Sequence, residues 1–558
     1  MHAIFRFTAR LMLPLILCPL AMAESPPPRM EQENIEPIPL EVGPETTVVE
    51  GPLRENGTVD YAAALNAMLS EGVTPESNVY VVVATLTAPD DWPDDDRYRP
   101  RVFELLGVPM PGDDAIYFTS IETFAEQRAA DDPRWHEVVM PEADGEDQPP
   151  WQAEPTETPR WMMEHELALE GPWSAEDVPL VTEWLAQQRP ALDRLAEGVR
   201  RERFWMPLVL EDEDELVVSA LMPSLGQMRK MLRTLKVRAL HRLHEGDVDG
   251  AIADLLTIKR LGHAMQEDLT LIGQLVGMSI TAESRDIMPH LVSHPDLTPA
   301  QARRANAELA ALSSRFPIHQ SIDRMERFFF LDVAQRLFHA DGEALIKEFV
   351  PEPNNLPINP HMMTVYFDRN RAMRRANAFY DRLVEAMTAD TRPERQAKLA
   401  EIEAEIAAES EQIHANGERL DVAGMVHRLA QLDDDAQRRA EFTDSVLHLL
   451  LALLTPGFSS VSNTADVVFM FEQVERVALA VAGHHAADGE YPESLEALVP
   501  DWLDAVPEDL LDAEGGPVRY RVEAERIVVY SVGRNGEDDA GLDDVSDGDL
   551  VIAWPRSD

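Results

Sequence analysis

The chain has 558 residues, 45% of them apolar, enough to bury large cores and to make up about three or four domains' worth of protein. Its formal net charge is −52, with 101 acidic residues against 49 basic ones. A field of that sign excludes nucleic acid and anionic membrane surfaces as partners, and with only five lysines among the cations most of it reads as a hydrated, salt-adapted surface.

Residues 1–23 predict a secretory signal peptide. Arg6 and Arg10 give a positive start, LMLPLILCPLAMA an apolar core, and Ala21-Met22-Ala23 a small-x-small cleavage site. The run is short for a transmembrane helix. Cys18 raises a lipoprotein signal, but bulky Leu17 stands where such signals take a small residue. Cleavage after Ala23 removes the only cysteine, leaving no disulfide, thiolate nucleophile or cysteine metal ligand. The expected location is periplasmic or extracellular, with no membrane span in the mature chain.

Residues 24–56 are rich in proline and acid and read as a linker. A helical region is expected over 57–455, subdivided near 139–173. Tyr61, Leu65 and Leu69 recur on one helix face. Thr74-Pro75-Glu76 reads as an N-cap, a proline at the first helical position and a first-turn acid, and draws VYVVVATL into a helix despite its valines. Tyr98 to Leu106 predicts another short helix, and 139–160 an irregular surface segment. From 174 to 454 the pattern is almost continuously helical. RALHRLHEGDVDGAIADLLTIKRLGHAM, 238–265, predicts two antiparallel helices meeting at small residues such as Ala239 and Ala251, as in one tetratricopeptide unit, but no 34-residue repeat surrounds it. Leu399, Ile402, Ile406 and Ile413 mark one arm of a hairpin with 368–389. Thr455-Pro456-Gly457 then breaks the pattern, and FSSVSNTAD reads as a polar junction.

Residues 465–558 change character. Val467, Phe471, Val474, Ala478 and Val481 share a helix face that ends at Asp488-Gly489, and a short helix is expected over Glu493–Leu498. Val518 to Val522 and Ile527 to Val532 predict a hairpin, and Asp549–Trp554 a third strand. The fold class is mainly α, with a small C-terminal α+β domain. Seven carboxylates and three glycines lie between Asn535 and Asp549.

HHAADGEYPESLEALVP, VRYR, IVVYSVGRNG, the acidic loop and GDLVIAWP follow one another in the order found in the globular part of type II secretion major pseudopilins, which this segment of about 90 residues resembles. The whole chain also resembles large exported bacterial proteins that join a helical region to such a tail, a resemblance that implies no activity. The N-terminus, FRFTARLML, lacks the pilin cleavage glycine and the glutamate that follows it, so a pilus subunit is not expected. The pseudopilin resemblance implies a calcium ion in the acidic loop. Val532 would give a backbone carbonyl, Asn535 would replace the usual aspartate, Asp549 would be the second carboxylate, and Asp543, Asp544 and Asp547 stand nearby. A flexible turn of oxygens suits calcium. An EF-hand is not expected, because Val545 and Trp554 occupy ligand positions.

His241 and His244 lie three apart without the pattern of a zinc protease, and no nucleophile elbow, phosphate loop or dinucleotide fingerprint appears. The expected function is an exported, non-catalytic scaffold or protein-interaction protein of the envelope, with unknown protein partners. The alternative is an exported hydrolase with its site in a groove of the helical region.

Overall fold

The computed structural model describes residues 36–556 apart from 94–96, 140–157, 211–214, 221–223, 269, 337–363, 416–418, 421–428, 430, 433, 455–456 and 543–547. The signal peptide expected at 1–23 lies outside the described residues, as does the linker up to residue 35. The architecture is mainly helical, with a small three-stranded antiparallel sheet near the C-terminus.

The helices begin with α1 (Tyr61–Leu69), capped by the Asp60 carboxylate on the Ala63 amide, and α2 (Val79–Leu86). VYVVVATL is a helix, but it starts later than the Thr74 cap predicts. Ser77 and Asn78 amides bond back to the Thr74 carbonyl and close a turn, and the Asn78 side chain caps α2 through the Tyr80 amide. Burial overrides valine's preference for strands. Val79 to Ala84 are all buried, and Val82 packs so closely on Gly198 that a β-carbon there would meet it at 2.6 Å.

Next come α3 (Tyr98–Leu106), α4 (Ile121–Ala129), α5 (Arg160–Glu170) and α6 (Pro179–Gly198). A two-residue ladder, Val138–Val139 with Thr158–Pro159, closes the segment before α5. Helices α7 (Ser224–His244) and α8 (Val248–Ala264) form the predicted hairpin. Gly246, at φ +75°, makes its turn, and Ala239 and Ala251 are fully buried. The closest backbone approach comes one helix later, between α8 and α9 (Leu271–Glu283). There, β-carbons added to Gly262 or Gly277 would lie 2.9 and 2.8 Å from the opposite carbonyl.

Helices α10 (Met288–Val292), α11 (Pro299–Leu312) and α12 (Arg327–Arg336) follow, the last entered through a π-helical turn, Ile322–Glu326. The hairpin of α13 (Arg369–Met387) and α14 (Arg392–Ile413) forms as read, with Leu399 and Ile402 buried, and α15 (Asp435–Leu454) packs against both arms.

The last helix, α16 (Phe458–Asp488), has 31 residues and spans roughly 46 Å at 1.5 Å per residue. It absorbs FSSVSNTAD into its first turns, where the sequence pattern read a polar junction. Ser462 and Asp466 are polar, but they face the buried Arg395 and not solvent. The boundary drawn at residue 465 falls inside this helix. Beyond it, Leu495–Leu498 makes one 3-10 turn, and β1 (Arg519–Val522), β2 (Arg526–Ser531) and β3 (Leu550–Pro555) form the sheet with β2 central. Tyr520 lies opposite Val529, and Val529 opposite Ile552.

Two hydrophobic cores result, and α16 belongs to both. Its first half, Phe458 to Val468, packs with Phe330, Tyr380 and Leu399. Its second half, Met470 to Ala482, joins a core that runs from Val79 through Leu255 to Ile527 and Trp554. Trp502 sits over Gly483, where a β-carbon would meet its ring at 2.2 Å, while the Arg303 guanidinium stacks 3.9 Å above the same ring. The sheet therefore shares its interior with the helical region.

Candidate functional site

Burial of ionisable groups is costly unless each charge finds a partner. Along α16 the chain buries three carboxylates, Asp466, Glu472 and Glu475. Their partners come from helices far away in sequence. Lys259 and His263, one turn apart on α8, reach across to α16. Lys259 Nζ lies 2.5 Å from Glu475 Oε2 and 3.6 Å from Glu472 Oε1, and its side chain is 1% exposed. His263 Nε2 donates to Glu472 Oε1 at 2.7 Å, and Nδ1 accepts from the Gln266 amide at 2.6 Å, which fixes the tautomer. Ser313 and Ser284 hydroxyls donate to Glu472 Oε2 and Glu475 Oε1 at 3.2 and 3.3 Å.

The two glutamates respond differently to one neighbourhood. Burial pushes Glu475 up, against the opposing charge of Lys259. Burial acts on Glu472 in the same sense, but Lys259 and the hydrogen bond from His263 outweigh it and hold Glu472 below the usual glutamate value. The cluster therefore has one lysine, two carboxyls and an imidazole, sealed between packed helices. It is a site for pairing charge, not for admitting substrate.

A second enclosed pair joins α7 to α8. Arg238 makes a fork on Asp254 through Nε at 3.0 Å and Nη2 at 2.6 Å, and Arg242 adds a bond of 2.8 Å. Two further carboxyls titrate near neutrality. Burial raises Asp268 to about 6 and Glu326, on the π-helical turn before α12, to about 7, and both face the start of α9, where Thr270 and Leu271 amides donate to them. Asp268 Oδ2 has no hydrogen-bond partner among the described residues.

The acidic loop of the sequence reading begins at Val532 and returns at Asp549, and the paired strand ends Ser531 and Leu550 bring these two together. Asp509 holds the first end, accepting from the Val532 amide and the Ser531 hydroxyl, each at 2.9 Å. Asp549 holds the second, accepting from the Asp539 amide at 3.2 Å and the Gly541 amide at 2.6 Å. Burial raises its pKa, and the carboxylates of Asp538 and Asp539 add to the effect. Asn535 lies apart in an exposed turn, its Oδ1 accepting from the Glu537 amide at 3.0 Å and its Nδ2 donating to Asp539. Asp543, Asp544 and Asp547 lie outside the described residues. Among the described residues no three histidines, cysteines or carboxylates gather as metal ligands, and none of the helices is long and apolar enough to cross a membrane. His241 stacks on Trp173 at 4.3 Å, and His485 on Tyr491 at 4.0 Å.

Clefts open on the surface among the described residues. One, of about 500 Å3, is lined by Ala63, Ala67, Val73, Leu105, Leu106 and Trp205 together with polar Asn66, Ser70, Thr74, Asn78 and Arg101. Another, of about 570 Å3, lies beside Leu167, Gly171, Trp173 and Asp177. Neither contains the buried ionic groups.

Sequence reasoning did not single out Lys259, His263, Asp268 or Asp466. The available signal was an ionisable residue interrupting an apolar face, such as Lys259 between Leu255 and Gly262, or Glu475 between Phe471 and Ala478.

Lys259→Met should destabilise the protein by about 3–5 kcal/mol in urea unfolding, because it strands two buried carboxyls. Adding Glu472→Gln and Glu475→Gln should recover part of that loss. Glu326 binds a proton more readily folded than unfolded, so its contribution favours the native state at low pH and is lost as pH rises from about 4.5 through about 7. Glu326→Gln should therefore flatten that slope and raise stability at pH 8 by up to about 3 kcal/mol, read as the difference from wild type across a pH series. Compared with family models, curated proteins and solved structures, the chain matches none.

Proposed function

We propose that the chain is an exported, non-catalytic scaffold or interaction protein of the bacterial envelope, whose pseudopilin-like end carries a structural calcium ion. The observation that carries the scaffold reading is where the charge goes. The ionisable groups that folding has concentrated pair with one another inside helix interfaces, while the cleft between α1 and α3 mixes apolar side chains with amides, hydroxyls and one arginine and has no carboxylate or histidine among its lining residues. A hydrolase needs the reverse, a cleft into which titratable groups converge. A cleft of mixed apolar and uncharged polar lining with one arginine suits a side chain of a protein partner.

Calcium is supported by the crowding of Asp538, Asp539 and Asp549 at the loop's return, which a cation would relieve, and by a hard-oxygen donor set. The proposed ligands are the Val532 carbonyl, Asn535, Asp549 and the intervening Asp543, Asp544 and Asp547. Asp549 already serves two loop amides, so it would bind calcium while organising the loop.

A photo-cross-linking residue at Ala67, in the first cleft, should join one defined protein in an envelope extract, whereas one at exposed Glu126 should not. Hydrolysis of a model ester, peptide or glycoside that is lost in Asp268→Asn would overturn the scaffold reading. Millimolar calcium should raise the melting temperature of the mature protein by several degrees, corresponding to about 2–3 kcal/mol at saturation. The shift should vanish in the Asp543→Asn/Asp544→Asn/Asp547→Asn variant. An equal response to magnesium at the same ionic strength would remove the calcium assignment.

A further inference from the structure

Around Asp466 the charges do not balance. This carboxylate is fully buried on α16, and three guanidiniums converge on it. Arg395, 3% exposed, donates from Nη2 to Oδ2 at 2.5 Å and from Nε to the Ser462 hydroxyl at 2.9 Å. Arg315, from the segment after α11, donates to Oδ1. Arg392, at the first turn of α14, donates to Asn463 at 3.1 Å and holds its Nε 3.5 Å from Oδ2. One carboxylate neutralises one arginine, so among the described residues the cluster keeps two positive charges. Glu394, the acid on the first turn of α14, pairs with Lys398 and does not offset them.

Such an excess is unexpected in a chain of net charge −52, where carboxylates are abundant enough to pair every arginine. The cluster is also short of acceptors. Arg392 Nε is buried without a hydrogen-bond partner among the described residues, and Arg315 spends only Nη2 on Asp466. A buried donor left unpaired calls for a reason. The like charges are felt within the cluster: burial and then the charges of Arg315 and Arg392 lower Arg395 against the pull of Asp466. Arg315 is 41% exposed and Arg392 17%, so these two side chains border solvent, with Arg392 Nε itself enclosed, whereas Arg395 and Asp466 form the floor.

We propose that Arg315, Arg392 and Arg395 form a binding site for a small dianionic oxyanion of the phosphate class, seated on the Asp466 floor between the end of α11, α14 and α16. Two residual positive charges match a dianion, and planar guanidiniums present the paired N–H groups that phosphate oxygens accept. The amino end of α14 adds its dipole in the same sense. Free phosphate and a phosphate monoester share this chemistry.

The test is titration calorimetry and thermal melting of the mature protein with inorganic phosphate, at an ionic strength fixed by chloride. Saturable binding below about 1 mM is expected, weakened about tenfold or more by Arg315→Gln and by Arg392→Gln, since each removes a charged donor pair. Arg315 lies at the exposed rim, so Arg315→Gln should melt within a few degrees of wild type without phosphate, which keeps the test valid even if Arg392→Gln is less stable. Phenyl phosphate in a parallel arm distinguishes an esterified ligand, which should bind more tightly, from a free ion, which the ester should fail to match. Acetate, a monoanion, should compete poorly. A response to phosphate no larger than that to chloride, or an affinity unchanged in Arg315→Gln, would overturn the proposal and leave the cluster as a clamp on Asp466 alone.

Discussion

The organisation of the whole molecule turns on burying carboxylates on α16. A fully enclosed Glu475 or Asp466 is tolerable only when a cation is delivered to it with good geometry, and here the cations arrive from α8 and α14 and from the segment after α11. Each pairing fixes where a distant helix crosses α16. Apolar packing supplies the bulk of the stabilisation, since it is collective and tolerant of small shifts. The ion pairs are less tolerant, and they set the register in which the apolar faces meet. Lys259 illustrates the point. It is one of only five lysines in the chain, and it lies where solvent scarcely reaches.

This arrangement also explains how so acidic a protein holds together. The negative charges dominate outside, where water and salt screen them. Inside, arginine and lysine meet acids nearly one for one, as Arg238 and Arg242 do on Asp254 with the help of Asp193. The exceptions are then informative. Among the described residues the carboxyls of Asp268 and Glu326 have no cation partner and are pushed up towards neutrality, and the Asp466 cluster has cations in excess.

Much of the local structure was legible in the sequence because its causes are local. The α7–α8 turn at Gly246, the stop at Gly489, the arms of the α13–α14 hairpin and the alternation in β1 all follow from spacing and turn chemistry. Helix starts were less legible, since Thr74 closes a turn and passes the cap to Asn78. The first turns of α16 were misread because Ser462 and Asp466 look like loop residues until Arg395 is placed beside them. The acidic loop stood out by composition, yet the buried ionic groups did not. His263 and Glu472 are 209 residues apart, and no periodicity reports a partner at that separation.

The dual membership of α16 bears on how the chain acquires its shape. Residues 458–488 complete an interior begun at Val59 and another begun at Val79, so both wait on a segment roughly 400 residues further along the chain. Contacts that span most of a chain close slowly. A polypeptide emerging amino end first would hold Lys259 and Arg395 in half-built interfaces until the final helix docks, and any holding factor in its compartment would have to act during that interval.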